Sequence, residues 1–276
     1  MARGGIVVGM VATLCLAGTV WAADPVPPGP VAPDPASHEA VYDVSLATLR
    51  SGSGVVGARG RMIYRFIDVC DGWTVETHNS LDMVDDQGAQ VATGWHFVAW
   101  ESKDGLSYRF RVTSTRDGET TETITGTARL DGVGQTGEAR FEQPEPTTIP
   151  LPAGTLFPTR HAMVLVERAM AGERSVLRKV FDGTLVAPPF DVNMLLGRSL
   201  PVGTAGENTD PLVAATPSWR MHLAYFRTDT DDVTPFHEVG VRYHDNSVAE
   251  EVLQDYGAFS LTARVRDLKA LPKPGC

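Results

Sequence analysis

Short runs in which apolar and polar residues alternate recur from His38 onward, and this period constrains the fold more than any other feature of the chain. Tyr42, Val44 and Leu46 alternate with polar neighbours, Tyr64 and Phe66 oppose Ile63 and Ile67, and comparable runs fill 73–82, 90–101, 106–115, 120–130 and 138–143. A period of two sends successive side chains to opposite faces of a strand, so these runs read as half-buried β-strands. Asp104-Gly105, Asp117-Gly118 and Asp131-Gly132 punctuate them at intervals of 13 and 14 residues. Asp-Gly suits the positive φ angles of tight hairpin turns, so consecutive strands should pair antiparallel. Long strands in a meander favour a curved, rolled sheet over a compact sandwich. The predicted fold class is mainly β, with long antiparallel strands rolled into an open barrel.

One segment breaks the alternation. Residues 156–172 read as a helix, with Thr155 as its cap, Pro158 in the first turn, where a missing N–H costs little, and Gly172 at the stop. Five consecutive apolar residues, 162–166, leave it little polar circumference, so the sheet is expected to enclose it as a central helix. Strand patterns resume at 175–181, 218–227, 236–244, 248–256 and 259–267. Residues 184–216 are rich in Gly, Pro and Asn and read as a long connection with a short helical turn near Met194.

The N-terminus has a different character. Arg3 precedes an apolar stretch from Ile6 to Val20, and Val20-Trp21-Ala22 places small residues where a signal peptidase cleaves. Residues 1–22 therefore read as a secretory signal peptide, and no later run reaches the roughly 18 apolar residues of a membrane-spanning helix. Residues 23–37, dominated by proline, read as a flexible, solvated linker, and 38–276 as a single domain. The formal net charge of −10, one unit more acidic once Arg3 is removed, argues against a nucleic-acid partner. Cys15 leaves with the signal peptide. The two remaining cysteines, Cys70 and Cys276, form an even set in an exported chain, which favours a disulfide over two independent thiols, a metal ligand or a nucleophile.

Enzyme templates are missing: there is no HExxH, no GxSxG, no phosphate-binding loop and no GxGxxG before a helix. Nothing calls for a cofactor or a metal; Asp229-Thr230-Asp231-Asp232 lacks the closing Gly and Glu of a calcium loop. The seven histidines are scattered singly. His161 stands apart because it falls in the first turn of the enclosed helix, where with Thr155 and Thr159 it is a candidate for an interior polar site. Arg109 and Arg111 share one strand face, and turned inward they would give an acidic protein a cationic lining suited to a lipid headgroup or another anion. The alternative is a solvated face paired with surface carboxylates.

The segments 151–161, 180–183, Ser218-Trp219, 255–261 and the terminal Leu271-Pro272-Lys273-Pro274-Gly275-Cys276 together resemble the cell envelope integrity protein B family. The resemblance spans nearly all of the chain after His38. It implies a periplasmic protein of Gram-negative bacteria, a spiral-like open β-barrel around a central helix, and Cys70 and Cys276 as the family's disulfide pair. That architecture is similar to the lipoprotein carrier and acceptor folds, whose concave sheets hold acyl chains, an analogy that cannot assign a ligand by itself. The expected function is non-enzymatic maintenance of the envelope, as a scaffold or a binder of a lipid, acyl or peptide ligand, with periplasmic or outer-membrane envelope components as partners. A lipid or lipoprotein carrier is the first alternative, and an unrecognised hydrolase around His161 and the arginines the second.

Overall fold

The computed structural model describes residues 33–204 and 209–276; the signal peptide expected at 1–22 and residues 23–32 of the expected linker lie outside the described residues. The alternating runs form a fifteen-stranded sheet. The first half contributes β1 (His38–Leu49), β2 (Val55–Asp68), β3 (Gly72–Asp85), β4 (Gln90–Ser102), β5 (Ser107–Arg116), β6 (Glu119–Leu130), β7 (Gly137–Gln143) and β8 (Thr147–Leu151). After the short β9 (Thr155–Leu156) and helix α1 (Pro158–Met170) come β10 (Ser175–Val180), β11 (Phe190–Leu200), the turn-length helix α2 (Pro211–Ala214), β12 (Ser218–Phe226), β13 (His237–His244), β14 (Ala249–Asp255) and β15 (Phe259–Ala270).

The strands order as β8-β7-β6-β5-β4-β3-β2-β1-β15-β14-β13-β12-β11-β10-β9. Two meanders are thus fused where β1 pairs antiparallel with β15, from His38↔Ala270 to Leu49↔Phe259. The two edges, β8 and β9, are consecutive in the chain and separated by only three residues. A sheet whose edges are neighbours in sequence has to curl back on itself, and the result is a nearly closed barrel.

Turn chemistry sets the hairpins. Asp117 and Gly118 take φ of 51° and 86°, the pair of positive values that a two-residue turn of matching twist requires. Helix α1 starts with Pro158 at its first turn and stops before Gly172, whose φ of 77° lets the chain reverse. Thr155 does not cap it: its hydroxyl donates to the Pro152 carbonyl at 2.7 Å. Residues 190–200, expected within a long connection, form β11 instead. Phe190, Val192, Met194 and Leu196 alternate inward and are buried there, a period masked in the sequence by the surrounding Gly, Pro and Asn. The proposed helical turn near Met194 is therefore a strand.

The expected solvated linker is docked over its last residues. Pro33, Pro35 and Ser37 are buried, the Ala36 N–H donates to Asn246 O at 2.9 Å, and Ser37 Oγ accepts from the Asp68 N–H at 2.9 Å. Ser37 O in turn accepts from the Leu271 N–H, so both flanks of the β1–β15 seam are tied down.

Cys70 and Cys276 are joined by a disulfide. Cys70 sits in the β2–β3 turn at a φ of 71°, a left-handed conformation unfavourable for a residue with a Cβ, and Asp68 Oδ1 accepts its N–H at 3.0 Å. The bridge spans a sequence separation of 206 residues, for which chain entropy predicts about 5 kcal/mol of stabilisation. Cys276→Ser is expected to lower the melting temperature in oxidising buffer by on the order of 10 °C, and to match the wild type once both are reduced. Equal destabilisation in both buffers would mean that the thiol acts through packing.

Candidate functional site

The inward rows of the strands pack one end of the barrel and leave the other hollow. Phe97, Tyr108, Phe110, Ile124, Phe141, Phe157 and Phe181 form one core, and Leu165 of α1 joins Val192, Met194, Trp219, Met221 and Leu223 in a second. Burial decays along β1 from His38 towards Leu49. Helix α1, the β2–β3 turn and the disulfide thus mark the packed end, while the turns at 50–54, 86–89, 117–118 and 256–258 rim the open one.

Between helix and rim lie two chambers. The inner, about 350 Å³, is walled by Tyr42, Tyr64, Trp73, Phe97, Tyr225 and Tyr243, with Thr159, His161 and Met163 of α1 as its floor. The outer, about 600 Å³, is lined by Val44, Leu81, Val252, Leu261 and Ala263 together with Ser114, Thr121 and Arg116. Met62, Asn79, Trp95, Val252 and Gln254 border both, so the chambers form one lumen. Size and lining suit a small amphipathic molecule: apolar walls with a few convergent polar groups.

Strand parity decides which arginine faces this space. Tyr108, Phe110 and Val112 are buried on the inner side of β5, so Arg109 and Arg111, the intervening residues, project outward and are exposed. The Arg109 guanidinium stacks on the outer face over Trp100, 4.2 Å from its ring centre. The expected cationic lining from these two residues is therefore not formed. The inner row of β5 continues through Ser114 to Arg116, opposite Trp95 and Thr93 of β4, and this places Arg116 at the mouth.

Thr159 and His161 do reach the lumen, and the residue that organises them is Glu101, which sequence reasoning passed over. Its carboxylate, 1% exposed, comes from β4 and accepts the Thr159 N–H at 2.7 Å and the Arg160 N–H at 2.8 Å. Helix α1 has no cap from its own side chains, so a distant strand supplies the acceptor for its first free N–H groups. Burial pushes the Glu101 carboxyl up to about 7, against the opposing pull of the two N–H groups and the Arg160 charge. The signal was present: Glu101 lies on the same face as Trp95, Phe97 and Ala99, where an acid needs a partner. His161 is buried, its Nε2 lies 3.1 Å from Met194 Sδ, and burial, reinforced by the Arg178 charge, holds its pKa down to about 4.

Residues 31–272 match the model of the EipB-like family. The chain is 27% identical over 231 residues to the cell envelope integrity protein EipB of Brucella abortus (strain 2308), covering 83% of this chain and 81% of that protein. The crystal structure of a β-barrel-like protein of a domain of unknown function, DUF1849, also from Brucella abortus, superimposes with a TM-score of 0.80 at 25% identity, covering 87% of this chain and all of that one. No helix among the described residues is long and apolar enough to cross a membrane.

Glu101→Ala leaves two helix N–H groups without an acceptor and should cost about 3 kcal/mol of unfolding free energy. The two buried groups also act oppositely with pH. With its pKa raised from 4.5 to about 7, Glu101 retains in the folded state a proton that the unfolded chain releases, so its contribution is lost as pH rises through that window. His161, lowered from 6.5 to about 4, takes up a proton only on unfolding, so stability is lost as pH falls through its window. Denaturant midpoints from pH 4 to 8 should show the first dependence removed in Glu101→Gln and the second in His161→Phe.

Proposed function

Because the chain belongs to the EipB-like family, we propose that it maintains the cell envelope as a non-enzymatic periplasmic protein that binds an amphipathic, acyl-bearing ligand in its lumen. The Brucella relative is named for envelope integrity. The observation that carries the binding reading is the gradient along the lumen. An aromatic inner chamber stops at a helix, the apolar walls continue outward, and the outer chamber adds hydroxyl-bearing residues and two arginines, Arg61 and Arg116, the latter at the end of β5 beside the mouth. An acyl chain in this space loses water contact along its length while an anionic head stays at the rim beside Arg116, where a charge keeps its hydration. The hydrolase alternative has less support, because His161 is turned to a thioether and held neutral by burial.

Saturated fatty acids of increasing length, titrated against the tryptophan fluorescence of the mature protein, test this. Trp95 borders both chambers and reports occupancy. Affinity should rise about fourfold per added methylene until the lumen is full, following about 0.8 kcal/mol per buried CH₂. Val252→Trp, at the junction of the chambers, should weaken binding at least tenfold, and Arg116→Ala should weaken the acid but not the corresponding alcohol. Absence of binding across the series, or affinity independent of chain length, would count against an acyl site.

A further inference from the structure

The outer face of the barrel brings together three groups that the sequence scatters. On β3, Glu76 and His78 point away from the lumen, since Val75, Thr77 and Asn79 line it. His96 of β4 is the direct cross-strand partner of His78. The two imidazoles stack with centroids 3.8 Å apart, and Glu76 Oε1 lies 2.9 Å from His78 Nε2 and 3.4 Å from His96 Nε2. His96 Nε2 is shut off from water, and its approach to Glu76 Oε1 at 3.4 Å is too poorly aligned to be a regular hydrogen bond. A water-shielded ring nitrogen that faces a carboxylate without a well-formed hydrogen bond is unusual enough to need an explanation.

We propose that Glu76, His78 and His96 form a binding site for a zinc-class divalent cation on the outer wall of the barrel. Two imidazoles and a carboxylate are the donor set that such ions take, and tetrahedral zinc with bonds of about 2.0–2.1 Å separates its ligand atoms by about 3.3 Å. The 3.4 Å contact of Glu76 Oε1 with His96 has that spacing, and the 2.9 Å contact with His78, now a hydrogen bond, would open by a few tenths of an ångström to reach it. The rings lie within 15° of parallel, so their lone pairs do not meet at one point, but His78 is 49% exposed and free to turn its Nε2 onto an ion held by the other two. Arg65 approaches the second carboxylate oxygen: its Nη1 lies 3.6 Å from Glu76 Oε2, while Arg65 Nε pairs with Glu39 Oε2 at 3.1 Å. Arg65 thus stands behind the carboxylate as an outer charge whose field is shared with a second acid, Glu39. Three protein donors leave the fourth position open to water or to a donor from another molecule. The site lies on the opposite side of the sheet from the lumen and does not depend on what the lumen holds.

Zinc chloride titrated by calorimetry into the mature, oxidised and untagged protein tests the site. One equivalent should bind, and His96→Ala and Glu76→Gln should each weaken binding at least tenfold. His222→Ala, which disrupts another cross-strand His–Glu pair, His222 with Glu238 at 3.1 Å, should leave the affinity unchanged. Should His96→Ala fail to fold, His78→Ala on the exposed strand face carries the same expectation. Lack of saturable zinc uptake, or undiminished affinity in His78→Ala, overturns the proposal.

Discussion

The structure depends on one antiparallel ladder between strands from opposite ends of the domain. Where β1 meets β15, the backbone bonds join an N-terminal and a C-terminal meander that would otherwise be separate sheets with two additional edges. Exposed edges present unpaired N–H and C=O groups, so the seam removes a liability as well as joining the halves. Several contacts reinforce it across long sequence separations: Tyr42 donates to Ala249 O at 2.6 Å, Thr48 Oγ1 bonds to Ser260 Oγ, and Arg266 pairs with Asp43. The disulfide continues the same connection beyond the end of β15. It ties the chain end to the β2–β3 turn across 206 residues, a long loop of the kind in which a covalent link restricts the unfolded chain most.

With the seam closed, the interior has to be filled from within. Helix α1 fills one end, and Glu101 decides where the helix begins. The price of seating a carboxylate among aromatic rings is met by two backbone N–H groups and the positive end of the helix. A second buried polar group stabilises the other half of the wall. His244, fully buried, bonds through Nδ1 to Thr216 and approaches Glu250 through Nε2, while Arg242 pairs with the same carboxylate and donates to Ser218. Hydroxyl, imidazole and carboxylate stand there in an order familiar from hydrolases, but the imidazole is closed to solvent, and the cluster fastens the loop after α2 to β13 and β14.

The hollow end follows from the same geometry. Strands that are buried near the helix become half-exposed towards the rim, and some of their apolar residues, among them Leu81, Trp95 and Val252, line the lumen. A domain that keeps such a surface open needs an occupant or a lid, which is the physical basis for the ligand reading. The outer wall is a separate surface with its own chemistry: Arg109 lies on Trp100, and His78 on His96, each a cross-strand pairing.

Local sequence determined what local physics governs. Period-two alternation specified most strands, Asp117-Gly118 specified a hairpin, and Pro158 and Gly172 bounded the enclosed helix, because each depends on a few adjacent residues. β11 was lost within its Gly- and Pro-rich surroundings, since an alternating row such as Phe190, Val192, Met194 and Leu196 has meaning only once a neighbouring strand gives it a face. The same reason separates Arg109 and Arg111 from the lumen: alternation shows that they share a face, and only the closed sheet says which face is inside. Glu101 reaches the helix from 58 positions away, and His78 reaches His96 across a strand pair. Such meetings are products of register and closure, which are properties of the whole sheet that no segment encodes alone.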